Sequence, residues 1–244
     1  MLSPDTLVKV PDYTVRESAR ARRVCLKVTS RGYVEVVVPH GFDQRRVPAL
    51  VHGKQAWLEA TLKRMALRHH DVNWRAADIL PSTIIFSAIA ETWQVIYVAT
   101  DMPRVTLMID AVDMRLILRG NISNVVLCKT VLRRWLLCKA QQHLVPWLEQ
   151  LSHEKDLPFK KAQVRSQKTR WGSCSRQKNI NINCKLLFLP VAVVHCVLVH
   201  ELCHTVHMNH SSKFWALMNK KQPDYVDLDA QLRKTRHWVP AWME

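Results

Sequence analysis

Glycine is scarce in this sequence, and its scarcity argues against several kinds of nucleotide-binding site. Only five glycines occur among 244 residues, and neither a GxGxxG nor a GxxxxGK[ST] string is present. Both strings place glycine where the backbone must approach a phosphate closely. The sequence therefore predicts neither a Rossmann dinucleotide site nor a P-loop.

Paired cysteines and long apolar runs are also missing. The seven cysteines are an odd number and form no CxxC motif. The N-terminal residues Met1 to Thr6 lack the apolar stretch of a secretory signal. The longest apolar run, 191–199, is interrupted by His195 and is too short to cross a bilayer. These features predict a cytoplasmic protein with reduced thiols and no membrane partner.

Acidic residues are few relative to basic ones. Thirty-six Lys and Arg against 20 Asp and Glu give a formal net charge of +16. Such a charge favours a polyanionic partner, either a nucleic acid or a phosphate-bearing substrate, although a solvated basic surface without a partner is the simpler alternative. No helix-turn-helix, zinc-finger or RNA-binding signature accompanies the charge.

The excess of basic over acidic residues is greatest between Asp156 and Glu201, where no acidic residue occurs. We interpret this stretch as a candidate anion-binding or substrate-guiding surface, with Trp171 either a stacking platform or a core residue. Cys174 lies among these cations, but no dedicated base accompanies it, so we interpret it as structural. The basic residues are Lys160, Lys161, Arg165, Lys168, Arg170, Arg176, Lys178 and Lys185.

Hydrophobic periodicity predicts an α+β fold. Alternating apolar residues indicate strands, and apolar stripes with helical spacing indicate long helices. We expect a single domain over 12–240, with a β-rich part at 12–119 that contains one long helix, and a helical part at 121–240. The predicted strands are 24–28 and 34–38, which form a hairpin with a turn at Arg31-Gly32, then 84–86, 94–98, 105–109 and 114–118, which Pro, Asp or Thr turns separate, and finally 160–166 and 180–182. The predicted helices run from Asp43 to about His70, from Asn121 or Ser123 to about Glu154, from Val191 to about Met208, and onward from about Ser211. Cys138 is predicted to lie on or near the buried face of the second of these helices.

The third of these predicted helices carries an HExxH motif, His200 to His204. Residues four apart on a helix share a face, so His200 and His204 can bind one metal ion. Glu201 lies beside that face and can act as a general base toward a water activated by zinc. The simpler reading is three polar residues on a surface helix. Apolar residues surround the motif, however, and a buried His-Glu-His set without partners would be costly.

A catalytic zinc ion needs a third protein ligand, and several residues compete for that role. His207 shares the helical face only if the helix continues, and it would then lie about 10.5 Å along the axis from His200. His210 follows a turn predicted at Met208-Asn209, where Asn can adopt the left-handed conformation that ends helices. We favour His210. The carboxylate alternatives are Asp224, Asp227 and Asp229.

This motif predicts a metallohydrolase with one Zn²⁺ per chain, and the substrate class stays open. A peptidase is the leading hypothesis, with His207, Arg170 or Tyr225 as candidate stabilisers of the oxyanion. A nucleotide phosphohydrolase would use the same metal together with the basic surface. A nucleic-acid-associated protein would use the basic surface as its binding site, with zinc in a structural role.

Six motifs lie close together in the second half of the chain. They are 170–175 (RWGSCS), 180–183 (ININ), 200–204 (HELCH), 209–211 (NHS), 214–215 (FW) and 223–225 (PDY). Together they resemble the motifs of the YgjP-like metallopeptidase family, which is related to the SprT-like zinc proteases. The resemblance covers most of the chain, and its specific motifs lie between Arg165 and Tyr225. It implies a zincin-like core in which the HExxH helix packs on a small sheet, with His210 as third ligand and an edge strand near the metal where an extended peptide could pair.

Overall fold

A computed structural model describes residues 12–28, 33–69, 80–234 and 238–243. The chain divides into two compact units, residues 1–74 and residues 75–244. The boundary between residues 74 and 75 lies before the predicted division near residue 120. The single domain over 12–240 stays a prediction. The structure is mixed α+β with three small sheets, as the periodicity predicted.

The first unit contains a three-stranded sheet in the order β1-β3-β2. Strand β3 pairs parallel with β1 and antiparallel with β2, so the predicted hairpin is present. Its predicted turn at Arg31-Gly32 lies outside the described residues. Buried valines of β3 pack with Val47, Val51 and Leu58 of the following helices. The strands are β1 (Tyr13–Ser18), β2 (Cys25–Val28) and β3 (Val34–Pro39).

The helical segment of the first unit is broken, and the prediction of one continuous helix from Asp43 was wrong. The Asp43 side chain accepts a hydrogen bond from the backbone N–H of Arg45 and caps only a short 3₁₀ turn. Helix α1 then spans Val47–His52 and ends at Gly53, and α2 spans Gln55–His69. Glycine is a poor residue for a helix interior, and its freedom suits it to a helix end.

The second unit begins with a four-stranded sheet in the order β4-β5-β7-β6, with β5 and β7 parallel. All four strands coincide with predicted ones. Helix α3 follows over Val125–Lys155, starts at an Asn124 cap and continues through Pro146. Cys138, which was predicted to lie near its buried face, is exposed. The strands are β4 (Thr83–Phe86), β5 (Glu91–Ala99), β6 (Val105–Asp110) and β7 (Arg115–Gly120).

A second sheet and three helices complete this unit. The sheet has the order β8-β10-β9, so β9 is an edge strand that, among the described strands, pairs with β10 alone. Helix α4 contacts β9, β10, α3, α5 and α6. The elements are β8 (Lys161–Arg165), β9 (Gly172–Cys174), β10 (Asn179–Asn183), α4 (Val191–Cys203), α5 (Ser212–Lys221) and α6 (Tyr225–Lys234).

Helix α4 lies in the centre of the second unit's core. The apolar residues of α4 that the sequence predicted to surround the HExxH motif are buried, and they belong to one hydrophobic cluster with α3 and both sheets. They are Val193, Val194, Val197, Leu198, Val199 and Leu202. Burial of each such side chain contributes about 1.5–3 kcal/mol relative to exposure. Among the described residues, no helix is both long and apolar enough to cross a membrane.

Candidate metal centre

Two imidazoles of the site come from one face of α4. His200 and His204 are four residues apart, and their ring centroids lie 4.9 Å from each other. His204 is only 8% exposed, and His200 is partly buried. The helical spacing predicted this juxtaposition, and the apolar remainder of α4 fixes it by packing into the core.

The third imidazole reaches the site because α4 ends early. The helix was predicted to reach about Met208, but it ends at Cys203, with His204 as its C-terminal cap in a right-handed conformation. A tight turn follows, in which the backbone N–H of His207 donates to the Cys203 carbonyl at 3.0 Å. The prediction of a left-handed Asn209 was wrong, because Asn209 is not among the positive-φ residues.

The turn brings His210 back over the end of α4. Nε2 of His210 lies 3.1 Å from Nε2 of His200, and the ring centroids of His210 and His204 lie 4.7 Å apart. His207 contributes its backbone instead, since its carbonyl oxygen is 3.0 Å from Nδ1 of His204. That contact fixes the orientation of the His204 ring and leaves Nε2 as its ligand atom.

The three histidines fit a zinc ion. One ligand atom from each of His200, His204 and His210 lies within 4.8 Å of the other two, and no other His, Cys, Asp or Glu group of this size occurs in the described part of the chain. Zn–N bonds of about 2.0–2.1 Å in a tetrahedral site place two ligand nitrogens about 3.3 Å apart, close to the observed 3.1 Å. Asp224, Asp227 and Asp229 are not part of the cluster.

Burial also keeps the imidazoles in the form that binds metal. Burial, reinforced by the neighbouring His204 and His210, lowers the pKa of His200 to about 4. Burial likewise lowers the pKa of His204. A neutral imidazole has a free lone pair, so metal binding does not first have to displace a proton at neutral pH.

Glu201 is a buried carboxyl beside the three histidines. It is 6% exposed, and its Oε2 atom has no hydrogen-bond partner among the residues that the structure describes. Burial raises the pKa of Glu201 to about 8, against the lowering effect of the Arg170 charge. A buried carboxyl oxygen without a partner is costly, and the positive charge of a metal ion held by the histidines would lower the pKa of Glu201 and favour the carboxylate form, which accepts a proton.

Strand β9 passes directly over Glu201. A Cβ atom on Gly172 would lie 2.5 Å from Oε1 of Glu201 and 2.6 Å from its Cδ. The glycine is therefore required by the close approach of the strand to the carboxyl. Cys174, two residues further along β9, has its pKa raised to about 11, chiefly by burial and also by the Glu201 charge. Its thiol stays protonated, which agrees with its interpretation as structural.

Two aromatic side chains, Phe214 and Trp215, pack against the histidine rings. Phe214 is fully buried, and its ring centroid lies 4.5–5.0 Å from those of His200, His204 and His210. Trp215 stacks on His210 at 5.5 Å. Sequence reasoning gave neither aromatic residue a role in the site; the available signal was their position within the first two turns of the helix that follows His210.

The structure also shows where the other predicted site residues lie. Tyr225 stacks on Trp215 at 5.4 Å and is thus separated from His210 by one ring. Arg170 is exposed, and its charge acts on Glu201. Trp171 is partly buried and packs against the core. The remaining basic candidates lie on β8 or in the connections next to β8 and β9: Lys160, Lys161, Arg165, Lys168 and Arg176.

A family model described as YgjP-like, metallopeptidase domain matches residues 22–235. No curated protein matches the sequence. The family description implies a hydrolase that acts on peptide bonds with the help of a metal, typically zinc. It gives no support to a nucleic-acid partner.

Proposed function

Because the chain belongs to the YgjP-like metallopeptidase family, we propose that it is a zinc peptidase with His200, His204 and His210 as metal ligands and Glu201 as general base. The observation that carries the proposal is the convergence of three imidazoles next to the buried Glu201 carboxyl, whose Oε2 atom has no hydrogen-bond partner in the described part of the chain. Three histidines with an open fourth position are a typical catalytic zinc environment.

The proposed core is zincin-like, with the HExxH helix on a small sheet. Its support is the contact of α4 with β9 and β10. In this arrangement the helix supplies two ligands and the base, and the edge strand lies on the same side as the base. The turn after α4 supplies the third ligand.

Glu201 moves the proton in the proposed reaction. Bound zinc would lower the pKa of a coordinated water and polarise the scissile carbonyl. Glu201 takes the proton of the attacking water at a carboxylate oxygen, and the same carboxyl then donates it to the departing amine. The histidines would hold the metal, and Phe214 packs against all three imidazole rings and fixes their positions.

Strand β9 is the proposed binding edge for the peptide. In an antiparallel ladder, alternate residues direct their N–H and C=O groups to the partner strand. Trp171 and Ser175 bond to β10 and its flanking residues, so Gly172 and Cys174 direct theirs to the free edge. An extended peptide can add there as a further strand, with its backbone next to Glu201.

Arg170 is the proposed stabiliser of the oxyanion, because its positive charge already acts on Glu201. The backbone carbonyl of His207 already contacts Nδ1 of His204, and the Tyr225 ring stacks on Trp215. A cation near the developing negative charge stabilises it most in a site that excludes water.

The decisive experiment compares Glu201→Gln with the wild type. We expect the variant to retain about one zinc per chain, as measured by elemental analysis, and to lose peptide turnover by about 10²- to 10⁴-fold. Glu149→Gln is the matched control, since it removes an exposed carboxylate from α3.

Two outcomes would overturn the proposal. Full turnover by Glu201→Gln would eliminate Glu201 as the base. Chelator-sensitive release of phosphate from nucleoside triphosphates, together with inertness toward peptides, would instead make the chain a phosphohydrolase.

A further inference from the structure

Four exposed cations bracket the free edge of β9. Lys168 and Arg170 lie in the loop before the strand, and Arg176 and Lys178 lie in the turn after it. We refer to these four residues as the β9 cations. The strand between them spans only about 7 Å from Gly172 to Cys174, at about 3.4 Å per residue. A short peptide paired with β9 would therefore meet positive charge at both ends.

The loop that carries the first two cations is fixed by Asn183. This residue is 2% exposed, and its side-chain amide donates to the carbonyl oxygens of Gln167 at 3.0 Å and Arg170 at 2.7 Å. Its backbone N–H also donates to the Trp171 carbonyl at 2.9 Å. The backbone positions of Lys168 and Arg170 are thus determined by a buried side chain.

The turn that carries the other two cations is fixed by Ser175. Its backbone carbonyl accepts from the N–H of Lys178 at 2.9 Å, and its hydroxyl accepts from the N–H of Asn179 at 3.1 Å. Lys178 has the left-handed backbone conformation, with φ +59. This geometry holds Arg176 and Lys178 beside the end of β9.

The charges of the β9 cations are not neutralised locally. None of the four forms an ion pair with a described residue, and the sequence has no acidic residue between Asp156 and Glu201. The charge of Lys178 still reaches the strand, because burial raises the pKa of Cys174 and the Lys178 charge acts against that rise. The edge therefore offers an unpaired positive potential to whatever pairs with it.

We infer that the β9 edge selects acidic peptides, with Asp or Glu on both sides of the scissile bond within about three residues. The inference rests on the proposed peptidase function and adds its substrate class. Backbone pairing with Gly172 and Cys174 aligns the peptide, and the β9 cations then distinguish acidic from neutral or basic side chains.

A peptide fits this arrangement better than a nucleic acid. The cations are grouped around a strand edge whose free backbone groups are complementary to a peptide main chain. Single-stranded nucleic acid requires aromatic platforms for stacked bases, and Trp171, the aromatic residue of this segment, packs against the core.

The test uses two peptides that differ only in charge. One carries Asp and Glu on both sides of a cleavable bond, and the other carries Asn and Gln at the same positions. We expect kcat/KM of the zinc-loaded wild type to be about tenfold higher for the acidic peptide, which corresponds to several exposed charge contacts. The preference should shrink when salt is raised to about 1 M, where the Debye length is about 3 Å.

Charge-matched double variants locate the preference. We expect Arg176→Gln with Lys178→Gln to reduce the acidic-to-neutral ratio by about fivefold. Arg104→Gln with Arg119→Gln removes the same two charges from the four-stranded sheet and should leave the ratio as in the wild type. Equal ratios in the two double variants would overturn the role of the β9 cations.

The outcome for substrate class can be separated from the outcome for catalysis. Fluorescence polarisation with labelled versions of both peptides and Glu201→Gln reads binding without turnover. Preferential binding of the acidic peptide without cleavage by the wild type would sustain the inference and overturn the peptidase. Cleavage of both peptides at equal rates would sustain the peptidase and overturn the inference. Salt-sensitive binding of a DNA fragment that is lost in Arg176→Gln with Lys178→Gln, with no peptide preference, would assign these cations to nucleic acid instead.

Discussion

At the residue scale, Gly172 leaves the space that Glu201 occupies. A methyl group at this position would lie 2.5 Å from Oε1 of Glu201. The backbone of Gly172 is not in the left-handed region, so an alanine there would not strain the strand. The added methyl group would instead displace the Glu201 carboxyl.

We expect Gly172→Ala to displace Glu201 and reduce kcat/KM at least tenfold, because small displacements of a catalytic group are costly. Zinc content and the midpoint of thermal unfolding should change little. Gly53→Ala is the matched control, since its added Cβ would meet the Ala49 carbonyl at an ordinary 3.4 Å. Wild-type turnover by Gly172→Ala would show that the carboxyl has room to move without loss of function.

His210 and His207 make different contributions to the same site. His210 presents a ring nitrogen to His200, whereas His207 presents a backbone carbonyl to His204. We expect His210→Ala to weaken zinc binding by at least about 100-fold, and His207→Ala to retain about one zinc per chain. Competition with a chromophoric chelator measures both affinities. The reverse ranking would make His207 the third ligand.

At the scale of elements, a half-buried polar network connects β5 to α3. Glu91 Oε2 accepts from Lys139 Nζ at 2.8 Å and from Trp93 Nε1 at 2.7 Å. The Lys139 and Glu91 side chains are 14% and 15% exposed. His143 lies 3.8 Å from the other carboxylate oxygen. The network orients the long helix on the four-stranded sheet.

We expect Glu91→Gln to lower the free energy of unfolding by about 2 kcal/mol at neutral pH, because it weakens a charged hydrogen bond and leaves Lys139 without its anion. Burial acts to raise the pKa of Glu91, but the hydrogen bonds from Lys139 and Trp93 together outweigh it and the net pKa is lowered. A lowered pKa contributes stability above the ordinary value of 4.5, and this contribution is lost as the pH falls through the folded-state pKa.

The measurement is urea unfolding of both proteins across that pH range. The difference between wild type and Glu91→Gln should shrink as the pH falls below about 4.5. Glu154→Gln changes an exposed carboxylate on α3, and its free energy of unfolding should stay within about 0.5 kcal/mol of the wild-type value. A difference that does not change with pH would exclude ionisation of Glu91 as its cause.

Element boundaries show where sequence patterns were insufficient. The four strands of the β4–β7 sheet were predicted because their apolar residues alternate and because Pro, Asp or Thr residues separate them. The end of α4 was misplaced, because apolar residues continue through Val206 and Met208 although both are exposed. The chain turns there because tertiary contacts to α5 direct it back, and this effect is absent from local periodicity.

At the scale of the whole molecule, zinc binding should be coupled to stability. The three ligands come from a helix and from the segment that follows it, so the ion would bind the folded chain far better than the unfolded one. At a free zinc concentration about 100 times the dissociation constant, binding contributes about 2.7 kcal/mol. For a chain of this size that corresponds to about 5–10 °C in the unfolding midpoint.

We therefore expect a chelator to lower the thermal midpoint of wild-type protein by several degrees and added zinc to restore it. Differential scanning calorimetry measures the shift. His210→Ala should respond little to either treatment, because its site lacks one ligand. An equal shift in both proteins would place the metal effect elsewhere in the chain.

By itself, the sequence determined the α+β class, the apolar surroundings of the HExxH helix, and the pairing of His200 with His204, because hydrophobic period and helical spacing are local properties. The sequence also favoured His210 as the third ligand, and the structure places its ring beside the pair. Only the tertiary structure decided that the helix ends at Cys203, that Gly172 leaves room for Glu201, and that Phe214 and Trp215 support the histidine rings. These features depend on packing between separate elements, and no local pattern encodes such contacts.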